Sequence, residues 1–242
     1  MQFTDSHIHL QDYNANNTQQ IIDSLRQFGF VRLVCVSAYQ TDWQKVETLY
    51  QKNERTVIPA FGVHPWYLAQ ASENWQNLLS DKLDEYPMAW IGECGLDFLK
   101  CDLQRDIQLQ AFEQHIDLAN RKKRPLNIHL LKAESEMRSL LPRLSVPFVL
   151  HSFGSATDFL RKVLQYGAYI SLSPRVLMRK NGLEIIRQTP LTALLLESDA
   201  PYQAKPEQIV QLAEVVAQVK QCQAAQVVEN VCQNLEKCHY GN

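Results

Sequence analysis

The chain has 242 residues, 45% hydrophobic and 21% charged, with a formal net charge of −2. That length buries a substantial core, and the composition is that of an ordinary globular protein rather than a low-complexity chain. The near-neutral charge excludes a global basic field that would recruit nucleic acid or anionic membrane, so a polyanion would have to be held locally.

No apolar run approaches the length of a membrane span, and no signal-peptide pattern precedes the first strand. The expectation is a cytoplasmic protein with no membrane association and no obligate protein partner. Six cysteines are present. None forms a C-x-x-C pair, so free thiols packed in or near a reduced core are expected, Cys94 included.

In chain order, the first strand is predicted over residues 2–9. A helix over 17–29 follows, with Ile21, Ile22, Leu25 and Phe28 at helical spacing and Gly29 as its stop. The second strand is 31–37. The next helix is capped by Thr41 or Asp42 and carries Trp43, Val46, Leu49 and Tyr50 on one face. Strand three is 57–62, and helix three is 74–86 with Trp75, Leu78, Leu79 and Leu83 inward. Strand four is 89–93.

A long helix over 103–123 carries Ile107, Phe112, Ile116 and Ala119. It ends in the basic run Arg121-Lys122-Lys123-Arg124 before Pro125, read as a solvated helix terminus complementing the helix dipole. Strand five is 126–129, a helix 134–144, strand six 147–152, a helix 158–166, strand seven 168–172, a short helix 183–188 and strand eight 192–197. Two amphipathic helices occupy 206–237.

Eight strands alternate with helices, and each strand is a continuous apolar run, as in parallel sheets buried on both faces. This predicts a single-domain α/β (β/α)8 TIM-type barrel over 1–242, with extra C-terminal helices. A doubly wound open sheet is the alternative, but the glycine-rich turn it usually carries after strand one is missing.

In such a barrel, functional residues gather at the C-terminal ends of strands. His7 and His9 end strand one, on one face because strand side chains alternate. His64 follows strand three, Glu93 ends strand four, His129 strand five and His151 strand six, and Asp199 closes strand eight. Of the seven histidines, His115 and His239 alone fall elsewhere. Each residue singly has a structural explanation. Pooled, they point to a metal centre. Imidazole and carboxylate suit zinc, manganese, iron or magnesium. The ligands exceed the usual three of one catalytic site, which points to two ions sharing Glu93. Asp199 would ligate one ion and orient, or deprotonate, an attacking water.

These segments together resemble the TatD family of metal-dependent hydrolases, within the amidohydrolase-like barrels. The matching stretches are FTDSHIHL, FGVHPW, IGECGLDF, the IH at 128–129, VLHSFGS and LLLESDAPY. The resemblance covers nearly the whole chain and implies a (β/α)8 barrel with two divalent ions (Mg, Mn or Zn) and deoxyribonuclease activity, often as a 3′-to-5′ exonuclease acting on DNA. It implies one metal at His7, His9 and Asp199, a second at His129 and His151, and Glu93 bridging them. Glu93 and Asp199 would be catalytic, and His64 would contact the substrate phosphate.

Trp66 and Tyr202 lie beside rim loops, where a ring can stack on a base or pack on a neighbouring loop. The chain departs from the family pattern at Gln11, where Asp or Asn is usual, and at Leu131, where arginine is usual. The loop after Tyr202 is also shortened. The same ligand pattern also fits an amidohydrolase acting on a C–N or ester bond of a small metabolite, and a non-catalytic metal-bearing scaffold.

Overall fold

A computed structural model describes residues 1–241, apart from the side chains of residues 15 and 16. Residue 242 of the expected 1–242 domain lies outside that range. The strands are β1 (Phe3–Ile8), β2 (Phe30–Val36), β3 (Val57–Phe61), β4 (Trp90–Asp97), β5 (Leu126–Leu131), β6 (Phe148–Leu150), β7 (Ala168–Leu172) and β8 (Leu194–Leu196). They form one sheet in the order β1 to β8, with each consecutive pair from β1–β2 to β7–β8 parallel. The helices between them are α1 (Ala15–Phe28), α2 (Trp43–Lys52), α3 (Trp75–Glu85), α4 (Arg105–Lys122), α5 (Glu134–Leu140), α6 (Thr157–Leu164) and α7 (Gly182–Gln188). After β8 come α8 (Gln208–Lys220) and α9 (Ala224–Tyr240). This is the expected TIM-type barrel. No described helix is long and apolar enough to cross a membrane.

The strands are buried on both faces because the barrel interior fills one side and the helices cover the other. Leu33, Val34, Cys35, Ala60, Ile91, Ile128, Val149, Ile170 and Leu195 are all buried. From outside, Ile22, Val46, Leu79, Phe112, Val163 and Val231 pack in from their helices.

Where β8 meets β1, the ring closes through specific hydrogen bonds. Asp199 N–H donates to His7 O (2.9 Å), and His9 N–H to Ala200 O (2.8 Å). The buried Asp5 carboxylate accepts from Ser198 N–H (3.0 Å) and Ser198 Oγ (2.5 Å). Ser6 Oγ reaches Leu196 O at 3.1 Å. Sequence-distant residues therefore meet beside the histidine pair.

Several boundaries differ from expectation. β4 continues past Glu93 to Asp97, because residues 94–97 pair in register with β5 despite their two non-β-formers. Glu93 is thus inside its strand, and so is His129, since β5 extends to Leu131. The helix expected over 134–144 stops at Leu140 and continues as a 3-10 turn, Leu141–Arg143, because Pro142 cannot donate to a further α-helical bond. Leu78 and Ile107 point outward rather than into the core. The basic run behaves as a helix terminus: Lys122 pairs with Asp84 at 2.6 Å and Lys123 forms the left-handed C-cap. All six cysteines are free, and Cys94 is buried.

Candidate metal centre

The site forms where the chain bends out of its strands. Between Ile91 and Cys94, β4 advances three residues while β5 advances two, from Leu126 to Ile128. That one-residue bulge breaks strict alternation and aims Glu93 at the barrel axis. The approach is close. A Cβ on Gly95 would lie 2.0 Å from His129 O, and one on Gly92 2.6 Å from Asn127 O. A similar one-residue irregularity falls between Asp5 and Ile8 of β1, around His7. The non-glycine residues Lys132, Ser152 and Asp199 follow β5, β6 and β8 with left-handed φ of 57°, 45° and 51°. Such backbone costs about 1 kcal/mol or more per residue and persists where the surroundings fix it, commonly at functional rims.

The two oxygens of Glu93 face two different sets of side chains. Oε2 lies 3.7 Å from His7 Nε2 and 3.5 Å from His9 Nε2. Asp199 Oδ1 approaches the same two nitrogens at 3.7 and 3.5 Å. Oε1 lies 2.9 Å from His151 Nε2, 3.2 Å from His129 Nδ1 and 3.5 Å from His64 Nε2. His7, His9, His129 and His151 therefore converge on Glu93, Asp199 faces the same two nitrogens as Oε2, and His64 joins the second set.

Ring nitrogens also face each other: His7 and His9 at 3.1 Å, His129 and His151 at 3.2 Å. Paired lone-pair donors turned toward carboxylates form a cation-seeking arrangement, in which His7, His9 and Asp199, His7, Glu93 and His151, and His64, Glu93 and His129 each bring three ligand atoms within 4.8 Å of one another. This His/Glu/Asp cluster suits a divalent metal.

A second layer of residues sets the ring orientations. His7 Nδ1–H donates to Asn127 Oδ1 at 2.9 Å, and Asn127 Nδ2 in turn donates to Ser6 O, which leaves His7 Nε2 free. His129 Nε2 contacts Asp97 Oδ2 at 3.2 Å, leaving Nδ1 toward Glu93. His151 Nδ1 lies 3.5 Å from Glu197 Oε1, and that carboxylate oxygen also accepts from Ser152 N–H. At the unusual position 11, the Gln11 amide nitrogen lies 3.3 Å from His9 Nδ1 and donates to Val36 O. His64 differs from the others: its Nδ1 accepts from Trp66 N–H, so in the neutral ring Nε2 carries the proton.

Asn127, Asp97 and Glu197 were not singled out from the sequence. Two of them sit two residues from a candidate ligand, Asn127 before His129 and Glu197 before Asp199, and that spacing was the available signal.

The TatD related DNase family profile matches residues 4–239. The chain belongs to the TatD family. It is 27% identical over 255 residues to the human protein named deoxyribonuclease TATDN3, covering 96% of this chain and 93% of the relative. It is 26% identical over 195 residues to the 3′-5′ ssDNA/RNA exonuclease TatD of Pantoea ananatis, covering 78% of this chain and 75% of the relative. The fold matches the crystal structure of YJJV, a TatD homolog from Escherichia coli, with a TM-score of 0.91, 22% identity and 98% coverage of both chains.

The electrostatics of this TatD member follow from burial. Burial penalises the Glu93 carboxylate, but His64, His151 and His7 outweigh it and hold the group well below the usual range. Burial likewise opposes Asp199, yet its hydrogen bond with His9 and the neighbouring imidazoles of His7 and His151 hold it below the usual range. Burial lowers His7 to about 4 and His64 to about 3, so both rings are neutral near pH 7. His129 and His151 are raised: their carboxylate neighbours (Asp97 and Glu93 for His129, Glu93 and Glu197 for His151) overcome desolvation.

Above the cluster opens a cavity of about 570 Å³, with Lys100, Lys132, Arg175 and Arg179 on its walls. Among the described residues none of these four has a carboxylate within 4.0 Å. Trp66 is 44% exposed, with Nε1 donating to Asp97 Oδ2, and Tyr202 is 65% exposed, with its hydroxyl donating to Asp12 Oδ2. Both rings thus touch a neighbouring segment and keep part of their surface open to the cleft.

Proposed function

We propose that the protein is a divalent-metal-dependent phosphodiesterase, a deoxyribonuclease that shortens DNA from its ends, 3′ to 5′. The observation that carries this reading is the division of Glu93 between two ligand sets beneath a cleft bearing four unpaired cations.

One set, His7, His9 and Asp199, would hold one ion, and the other, His129 and His151, a second, with Glu93 shared. Mg, Mn and Zn all fit this nitrogen and oxygen donor set. Divalent ions there would supply Lewis-acid polarisation of a phosphoryl oxygen and a water of lowered pKa.

The chain's own residues do the rest. Asp199 is anionic, and its Oδ2 accepts a hydrogen bond from Gln203, which fixes the carboxylate as acceptor for the proton of the attacking water. Neutral His64, with its proton on Nε2, donates to a phosphate oxygen without bringing in a positive charge. Trp66 and Tyr202 offer ring faces to bases, and the rim cations offer charge to the phosphates on either side.

Cytoplasmic residence fits the free cysteines. A small-metabolite amidohydrolase would use a similar ligand set. The unpaired lysines and arginines favour a polyanion instead.

The reading is tested with end-labelled single-stranded DNA and Mg²⁺ or Mn²⁺. Wild type should release mononucleotides, whereas Glu93→Ala and Asp199→Asn should lose at least about a hundredfold in rate. Degradation by either variant at the wild-type rate would overturn it.

A further inference from the structure

Beside the main cleft lies a second cavity of about 410 Å³, between the loop after β7 and the start of α8. The two share Arg175, Tyr202 and Gln203 on their walls, so they are adjoining parts of one groove. No carboxylate lines the second part, which is bounded further by Leu177, Met178, Gln208 and Gln211.

The segment presenting these side chains is firmly seated. It is a 3-10 turn, Pro174–Met178, whose Val176 is buried while Arg175, Leu177 and Met178 face outward. Val176 O packs so tightly on Gly182 that an added Cβ there would lie 1.9 Å away. Met178 is 86% exposed, an apolar side chain held out to solvent on a packed turn. The arrangement combines one cation at the junction, apolar and aromatic surfaces beyond it, amides along the helix and no carboxylate on its walls. Sequence-tolerant single-strand binding uses the same elements: a cation for the backbone and flat or apolar faces for the bases.

We propose that the second cavity is a binding site for the stretch of single-stranded nucleic acid adjoining the nucleotide at Glu93. Arg175 takes the phosphate between the two parts, and Tyr202, Leu177 and Met178 lie against the bases. This rests on the phosphodiesterase reading and adds a strand path to it. On this reading an oligonucleotide that reaches into the groove binds more tightly than a dinucleotide. It also moves phosphate recognition to the loop after β7, whereas the position two residues past His129 is Leu131.

The test is fluorescence anisotropy on the full-length protein with Mg²⁺, using phosphorothioate-linked fluorescent oligothymidylates of two and six nucleotides. The six-mer should bind about tenfold more tightly than the dimer, the scale of one stacked base. Arg175→Ala and Gln211→Glu, both at exposed positions, should bring that ratio toward one, and Arg175→Lys should keep most of it. Equal affinities in wild type, or a ratio unmoved in both variants, would overturn the proposal.

The two readings fail separately. If DNA is not hydrolysed but the ratio and its loss are seen, the phosphodiesterase reading falls and the strand groove stands. If both lengths are hydrolysed with equal kcat/KM and bind equally, the groove falls and the phosphodiesterase stands.

Discussion

His7 turns Nε2 toward Glu93 because its other nitrogen is occupied by Asn127. Removing that amide frees the ring to rotate and to change tautomer, and loss of such a supporting bond typically weakens metal affinity by about 10–100-fold. Asn127→Ala should therefore bind Mn²⁺ or Zn²⁺ that much more weakly by isothermal titration calorimetry, while Asn127→Asp, which keeps an acceptor, should recover most of the affinity. An Asn127→Ala protein with wild-type affinity would contradict this role.

A second histidine shows the same physics away from the site. His115 is buried, stacked on Trp75, and accepts from Val63 N–H. Burial lowers it to about 4, against 6.5 in the unfolded chain. Below pH 6.5 the unfolded state binds a proton that the folded state refuses, so stability present above that pH is lost as pH falls toward 4. The loss from this group is on the order of 3 kcal/mol. His115→Gln should flatten the fall in Tm between pH 6.5 and 4 relative to wild type, and parallel curves would contradict the assignment.

Residue type made the rim legible in the sequence, because imidazole and carboxylate at successive strand ends have few other joint uses. Asn127, Asp97 and Glu197 were not legible. A residue that orients a ligand acts only through its neighbour's second nitrogen, and its type is common in any turn or core.

At the scale of elements, the alternation of apolar runs with amphipathic stretches located every strand and α-helix among the described residues, whereas the short 3-10 turns such as Pro174–Met178 carry no such period. The ends were harder to read. Residues 94–97 contain Gly95 and Asp97, which argue against strand, yet β5 supplies a partner for each and the strand runs on. Likewise the bulge that turns Glu93 inward is a fact of pairing between two strands, with no local signature.

Gly95 has φ of 135°, and any Cβ there would meet His129 O at 2.0 Å. Gly95→Ala should thus cost about 3 kcal/mol in urea denaturation through overpacking and strain, and should push β5 and His129 away from Glu93. An alanine variant with unchanged stability and metal affinity would show that the close approach is not needed.

At the scale of the molecule, closing the barrel brings together residues that the chain keeps far apart. Asp199 donates its N–H to His7 O across the seam between β8 and β1, 192 residues along the chain. Neither the histidine pair nor the acidic residue forms a site alone, and Glu93 joins them only because β4 stands across the same interior. Barrel topology was readable from the repeat of strand and helix, and it converted a scatter of histidines into one rim. The cations of the cleft were not readable in this way, since Lys100, Lys132, Arg175 and Arg179 come from three different loops and stand out only by lacking carboxylate partners.

The most direct test of the whole account is the release of mononucleotides from end-labelled single-stranded DNA, with bound metal measured on the same preparations of wild type and Asp199→Asn. Metal-dependent release by wild type, a loss of at least about a hundredfold in the variant and reduced metal content are the expected results. Equal release by both proteins, or release that survives complete removal of divalent metal, would contradict the account.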